Sequence, residues 1–277
     1  MREKFFYFFG RQFQTDMVVY AEFPPKAGKG DVEFEKNLLR KLGSAAIAAG
    51  FAASAFADAS DAGNHGAWIG VQAKYGIDTN RVWTINASEE SRFGEKHYEE
   101  QHGTLGVTIK PFSWLAITPH YHFIDTRKRI SATRDGDAYV THDWQREHRF
   151  GVDVEPSVKL WGWKIADRNR VVWRDFEDSQ GFWRYRNRIQ VNSPWKWTDY
   201  KINPYASWEL FLDDGKPSKH VRKNDKFDQW RFAVGATAKL TDNISLNLFY
   251  LLQEKKNTSH HDWSPNHVLG VNVGFSF

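Results

Sequence analysis

Three arginines stand two residues apart in the stretch Trp183-Arg184-Tyr185-Arg186-Asn187-Arg188-Ile189-Gln190-Val191. A guanidinium is a planar fork of N–H donors that takes a carboxylate or phosphate through two parallel hydrogen bonds. Arg168, Arg170 and Arg174 form a second set of the same strand parity just upstream, and Arg231 lies further along. The acidic residues placed to answer them are Asp153, Glu155 and Glu209. In a strand, successive side chains point to opposite faces. Each arginine set is therefore a row on one face, while Trp183, Tyr185, Ile189 and Val191 share the other.

Other reactive constellations are sparse. His120 and His122 are two apart, a spacing that can chelate a metal from a strand, but no third ligand stands at a diagnostic distance. His97, His102, His142, His148, His260, His261 and His267 fall near loops or strand ends. Asp135-Gly136-Asp137 is too short for a calcium loop and reads as a turn. No nucleophile elbow, phosphate loop or zinc-protease motif occurs. The expectation is a protein that is not an enzyme, with no catalytic set, no metal and no cofactor.

The elements that must hold the arginine rows read as strands. From Gly66 onward the pattern is period two, broken by turn residues, with no helical stripe. Candidate strands are 67–75, 81–91, 102–111, 115–129, 144–160, 164–176, 182–192, 200–212, 227–240, 244–255 and 266–277. Phe150, Val152, Val154, Val158 and Leu160 share a face, as do Ile244, Leu246, Leu248, Tyr250 and Leu252. Most segments reach the roughly 9–11 residues of a tilted membrane strand and exceed the roughly 5–6 of soluble sheets. Short connections at Ser113-Trp114, Trp161-Gly162-Trp163 and Thr241-Asp242-Asn243 alternate with long ones at 130–143, 213–226 and 256–265. Tryptophans gather near strand ends, as interfacial girdles do.

Composition agrees. The chain has 277 residues, 16% aromatic, with 13 Trp and no Cys, and its net charge is +4. That charge is too small to mark a nucleic-acid binder. Mean hydropathy is −0.64, and no run of about 18 apolar residues occurs, so no helical membrane span is expected. An apolar run from Leu42 follows Lys36, Arg40 and Lys41 and ends in Ala55-Phe56-Ala57, the pattern of a secretory signal peptide over 36–57. Cleavage is expected between Ala57 and Asp58. Residues 1–35 ahead of it read as an extension from a misassigned start codon, with Val32 as the alternative start; N-terminal sequencing of the unprocessed protein tests this. The barrel proper is expected over 58–277.

The expected fold is all-β: a transmembrane, antiparallel, up-and-down β-barrel of about 12 strands in the bacterial outer membrane. Eleven segments are visible, but single-chain bacterial barrels have even numbers, so a missed strand gives twelve. Discarding 67–75 gives the alternative, ten.

The last segment, Val268 to Phe277, alternates and stops on Phe277. It resembles the terminal strand that outer-membrane proteins present to their barrel-assembly machinery. The order of several short motifs also resembles one family. These are Trp68-Ile69-Gly70, His148-Arg149-Phe150, Arg184 to Arg188, Asn203-Pro204-Tyr205-Ala206-Ser207-Trp208-Glu209-Leu210-Phe211, Phe249-Tyr250-Leu251-Leu252-Gln253 and Phe277. Together they are similar to the outer-membrane barrels grouped as domain of unknown function 2490, over about residues 64–277. The resemblance implies a barrel and its location, and no activity. A likeness to acid-sugar-specific porins with arginine-lined lumens is architectural only.

A lipid-facing Arg at mid-depth costs about 2–4 kcal/mol, so Arg184, Arg186 and Arg188 are expected to face the lumen. If the two arginine strands pair as a hairpin, a register that sets Arg174 opposite Arg184 also sets Arg170 opposite Arg188. Like charges so placed are destabilising, and carboxylates or anions must offset them. Three functions follow: a narrow channel for small anionic solutes, a structural barrel closed by an Arg–Asp/Glu network, or a lipid-modifying enzyme. The expected partners are outer-membrane lipid, the barrel-assembly machinery and an anionic small solute, with no nucleic acid.

Overall fold

The computed structural model describes residues 65–94, 98–134, 137–177, 179–214, 226–256 and 263–277. The signal peptide, its Ala57–Asp58 site, the extension 1–35, His97, Asp135, Gly136, His260 and His261 lie outside these residues. Of His142 only the backbone is described.

Each of the eleven alternating segments is a strand: β1 (His65–Gly76), β2 (Trp83–Phe93), β3 (Tyr98–Phe112), β4 (Leu115–Arg134), β5 (Asp137–Leu160), β6 (Trp163–Phe176), β7 (Ser179–Asn192), β8 (Asn203–Asp214), β9 (Phe227–Lys239), β10 (Ile244–Lys256) and β11 (Trp263–Ser276). Sequence neighbours pair antiparallel, and β1 pairs with β11 to close a barrel. Among the described residues the wall therefore has eleven strands, neither twelve nor ten. The even-number rule fails because closure does not require it. With an odd count the first and last strands run the same way, and they join by the evenly spaced, slanted bonds of a parallel ladder. That ladder runs from His65↔His267 to Lys74↔Ser276. Backbone bonds from Gly76 to Phe277 (3.1 Å) and from Phe277 to Lys74 (2.9 Å) fasten its end.

The β3–β4, β5–β6 and β9–β10 connections are short and lie at the end of the barrel that carries Phe277, the turn end. Trp161 and Gly162 make the β5–β6 turn with φ of 47° and 83°. Both values are positive, as a two-residue turn matching the strand twist requires. The stretch 130–143, expected as a long loop, is mostly strand instead. β4 and β5 stay paired out to Arg134↔Asp137, while β3 leaves β4 at Thr126 and β6 leaves β5 at Glu147. The hairpin thus projects past the wall as a two-stranded ribbon. Its β-branched residues favour strand, and two residues, Asp135 and Gly136, separate its arms.

The pleat sorts the side chains into two sets. Outward positions are apolar and solvent-accessible, among them Leu105, Phe150, Val171 and Leu248. Trp114, Trp195, Trp197 and the 95%-exposed Trp161 ring the turn end. Water does not favour so large an apolar surface; hydrocarbon does, and the aromatic rings mark its boundaries. Inward positions are mostly polar on β2 to β8, with Ile124, Val172, Phe182 and Phe211 as buried apolar exceptions. On the opposite arc the lumen holds a small apolar cluster of Trp68, Ala233, Leu251 and Val268, with Phe249 against it.

Candidate functional site

The inward rows build a belt of ion pairs around the lumen. Following the register across the wall, Arg168 faces Arg188, Arg188 faces Glu209, Glu209 faces Arg231, and Arg231 faces Gln253. The next row toward the loop end reads Asp153, Arg170, Arg186, Phe211 and Gln229. Arg174 faces Phe182 and Arg184 faces Val172, two residues away from the register that would set Arg174 against Arg184. The register slips by one residue at the loop end, between Arg174 and Phe176. The like-charge pairs across β6 and β7 are therefore Arg168–Arg188 and Arg170–Arg186, while Arg174 faces Arg149 of β5 and shares Glu147 with it, and Arg184 takes Asp213.

Glu209 lies at the centre. Its Oε1 accepts from Arg168 Nη2 (2.9 Å) and Arg186 Nη2 (2.8 Å), and Arg231 Nη1 lies 3.7 Å from Oε2. Asp153 takes Arg170 through two bonds of 2.6 Å. Glu155 is more distant, 3.9 Å from Arg188. Glu147 takes both Arg149 (2.5 and 2.7 Å) and Arg174 (2.5 and 2.9 Å). Asp213 takes Arg184 through two bonds, and Asp228 lies 3.9 Å from the same guanidinium. Arg92 closes the belt on β2 by bonding Glu90 (2.8 Å) and Glu100 (3.0 Å).

Aromatic rings complete the circuit. Two guanidiniums lie over the Trp68 ring, Arg92 at 3.9 Å and Arg231 at 5.0 Å from its centre. Phe211 has Arg184, Arg186 and Arg231 within 5.5 Å. A cation over an aromatic face is worth up to about 2 kcal/mol once desolvated. The contact between Trp68 on β1 and Arg231 on β9 reaches past two intervening strands.

Donors nevertheless outnumber acceptors here, since each guanidinium carries five N–H groups. The Nε atoms of Arg168, Arg186 and Arg188 are buried without a partner among the described residues.

His120 and His122 face inward. His122 Nε2 lies 3.1 Å from His102 Nδ1, and Glu100 lies 2.8 Å from His102 Nε2. His120 Nδ1 lies 3.2 Å from the Thr118 carbonyl and 3.7 Å from Asp153. Its ring lies over Gly151, where an added Cβ would come within 2.9 Å of Nε2. Among the described residues no three His, Asp or Glu side chains are grouped to hold a metal ion.

Several members of the belt were not singled out in the sequence. Glu147 shares strand parity with Arg149 and Asp153, and Asp213 with Glu209, so alternation carried both. Trp68 and Phe211 are aromatic residues on otherwise polar faces, and alternation alone gives no sign of them.

A second polar group lies on the outer wall. Between Trp163 and Trp173 the outward positions of β6 include Asp167 and Asn169, next to Tyr185 and Asn187 of β7. Asn187 Nδ2 donates to Asp167 Oδ1 (2.6 Å) and Asn169 Oδ1 (3.1 Å). Asn169 Nδ2 donates to Asp167 Oδ2 (3.1 Å), and the Tyr185 hydroxyl donates to Asn169 Oδ1 (2.5 Å). The group satisfies its own donors inside an apolar band.

A closed barrel, apolar and aromatic outside and charged inside, with no open sheet edge, is the form in which β-structure crosses a bilayer. It places the protein in the bacterial outer membrane. Three solved structures resemble it. The NanC porin shares 12% identity at a TM-score of 0.45, covering 74% of this chain and 91% of its own. The β domain of the Bordetella autotransporter BrkA shares 12% identity at 0.43, covering 70% and 83%. OmpT of Vibrio cholerae shares 11% at 0.37, covering 66% and 56%. No curated protein matches the chain. The model of the family described as protein of unknown function DUF2490 matches residues 65–264, from the start of β1 into β11, and the chain belongs to that family.

Proposed function

We propose that the protein is a structural outer-membrane barrel whose lumen the arginine–carboxylate belt closes at mid-height. The sharing of Glu209 by Arg168, Arg186 and Arg231 carries this reading. An arginine row open to solutes keeps its guanidiniums free, whereas here the inward carboxylates of β5, β8 and β9 lie against them. Pairs of this kind are hard to open, because separating the partners leaves a buried charge uncompensated. The belt joins strands that are not neighbours and holds the barrel narrow.

Purified protein in planar bilayers tests the proposal. No stepwise conductance is expected from the wild type. Anion-selective steps from the wild type would overturn it in favour of the second reading, a narrow channel for small anions. That reading draws on the unpartnered arginine Nε atoms and on arginine rings as the lining of anion pores.

The proposal assigns the protein no catalytic activity. Among the described residues no hydroxyl bonds to the Glu100–His102–His122 chain, and release of fatty acid from phospholipid by the purified barrel would contradict this. Phe277 and the alternating β11 are assigned to recognition by the barrel-assembly machinery, and replacing Phe277 with Ser is expected to slow assembly in cells.

A further inference from the structure

The turn-end half of the lumen has a different charge balance from the belt. Lys74, Lys110 and Lys164 line a cavity of about 910 Å³ whose deeper wall includes Arg168, Arg186 and Arg188. Lys159, Lys196 and Lys201 line an adjoining cavity of about 730 Å³, and both cavities share Lys164, Arg188, Gln190 and Glu155. Lys159 and Lys164 stand directly opposite one another in the β5–β6 register, where like charges destabilise. Among the described residues, no carboxylate oxygen lies within 4.0 Å of any of these lysine amino groups. The acidic residues nearby are engaged elsewhere: Glu155 is 3.9 Å from Arg188, and Asp242 holds Lys239 at 2.8 Å.

We propose that this turn-end vestibule binds a small, soluble anion carrying two or more negative charges, a polyphosphate or a polycarboxylate. The cations come from β1, β3, β5, β6 and the β7–β8 connection, so they surround the cavity rather than marking one point on it. A single carboxylate meets only one side of such an arrangement; an anion with charges at both ends meets two. The unsatisfied Nε–H groups of Arg168, Arg186 and Arg188 lie beside the deeper wall and add to the local excess of donors. Short turns face the periplasm in outer-membrane barrels, so the ligand enters from that side. The site does not require the belt to open and stands whether or not the barrel conducts.

Calorimetric titration of the refolded full-length barrel at low ionic strength tests this, with inorganic pyrophosphate, citrate and acetate as probes. Pyrophosphate or citrate is expected to bind at least tenfold more tightly than acetate, and whichever of the two binds more tightly assigns the class. Lys159→Gln with Lys164→Gln is expected to weaken binding at least tenfold, and Lys164→Gln alone to weaken it less. Lys226→Gln, at the opposite end and 3.8 Å from Asp214, removes the same charge and is expected to leave binding unchanged. Bilayer conductance of each variant reports separately on the belt. The proposal is overturned if neither multivalent anion binds, if acetate binds as tightly, or if Lys226→Gln costs as much as the double variant.

Discussion

Arg184 on β7 and Asp213 on β8 stand opposite each other in register and meet through two parallel hydrogen bonds, of 2.5 and 2.7 Å. Both side chains are buried, at 9% and 3% exposure. Asp213→Ala removes both short bonds to a buried guanidinium and leaves it Asp228 at 3.9 Å, at an expected cost of about 3 kcal/mol. Replacing both residues with Leu is expected to cost much less, since the charge goes with its partner. Urea unfolding of the refolded barrel measures both; equal losses would show that the pair does not act as a unit.

The outward Asp167–Asn169–Asn187 group makes the same kind of claim in lipid. Asn187→Leu removes two donated hydrogen bonds and leaves acceptors facing hydrocarbon, at an expected cost of about 1–3 kcal/mol. Changing Asp167, Asn169 and Asn187 to Leu together with Tyr185 to Phe removes donors and acceptors alike and is expected to be nearly neutral or stabilising. Unfolding midpoints in lipid vesicles separate the two outcomes.

Phe249 lies across Gly270 in the β10–β11 register, and a Cβ on Gly270 would overlap its ring. Gly270→Ala is expected to destabilise by about 1–3 kcal/mol through overpacking. In a Phe249→Leu background the same change is expected to cost less, a non-additivity that a double-mutant cycle reads directly.

The β1–β2 connection carries a pH dependence. The backbone N–H groups of Trp83 (2.7 Å) and Val82 (3.0 Å) donate to Asp78 and hold its carboxyl below the usual carboxylate range. A depressed folded-state value means that ionised Asp78 favours the folded protein. The contribution is full above the unfolded value of about 3.9 and disappears as pH falls through the folded value. The difference in melting temperature between wild type and Asp78→Ala is expected at pH 7 and to shrink below about pH 4. A difference that grows on acidification would refute it.

The wall was readable in the sequence because period-two alternation is a local property, and each of the eleven strands satisfies it alone. Strand number was not, because it depends on how the ends of the sheet meet, and no local pattern encodes a parallel closure between residues 65 and 267. The β6–β7 register was not legible either: alternation fixes which face a residue takes but not which residue stands opposite it, and the pairing sets Arg174 against Phe182. The inward direction of Arg184, Arg186 and Arg188 follows from the cost of charge in lipid. Their partners depend on which strands curvature brings together. Arg168 on β6 reaches Glu209 on β8 past β7, and Arg231 reaches Trp68 on β1; neither contact joins strands adjacent in the wall.

Every junction but one in this wall joins strands consecutive in the chain, so ten pairings can zip up in sequence from local turns. The β1–β11 seam cannot. It joins segments about two hundred residues apart, and it forms only after the rest of the sheet has curled far enough to bring them together. Until then β1 and β11 each present a row of unpaired N–H and C=O groups, the template on which sheets from different molecules associate. The seam is therefore where assembly finishes and where an unfinished barrel is most prone to aggregate.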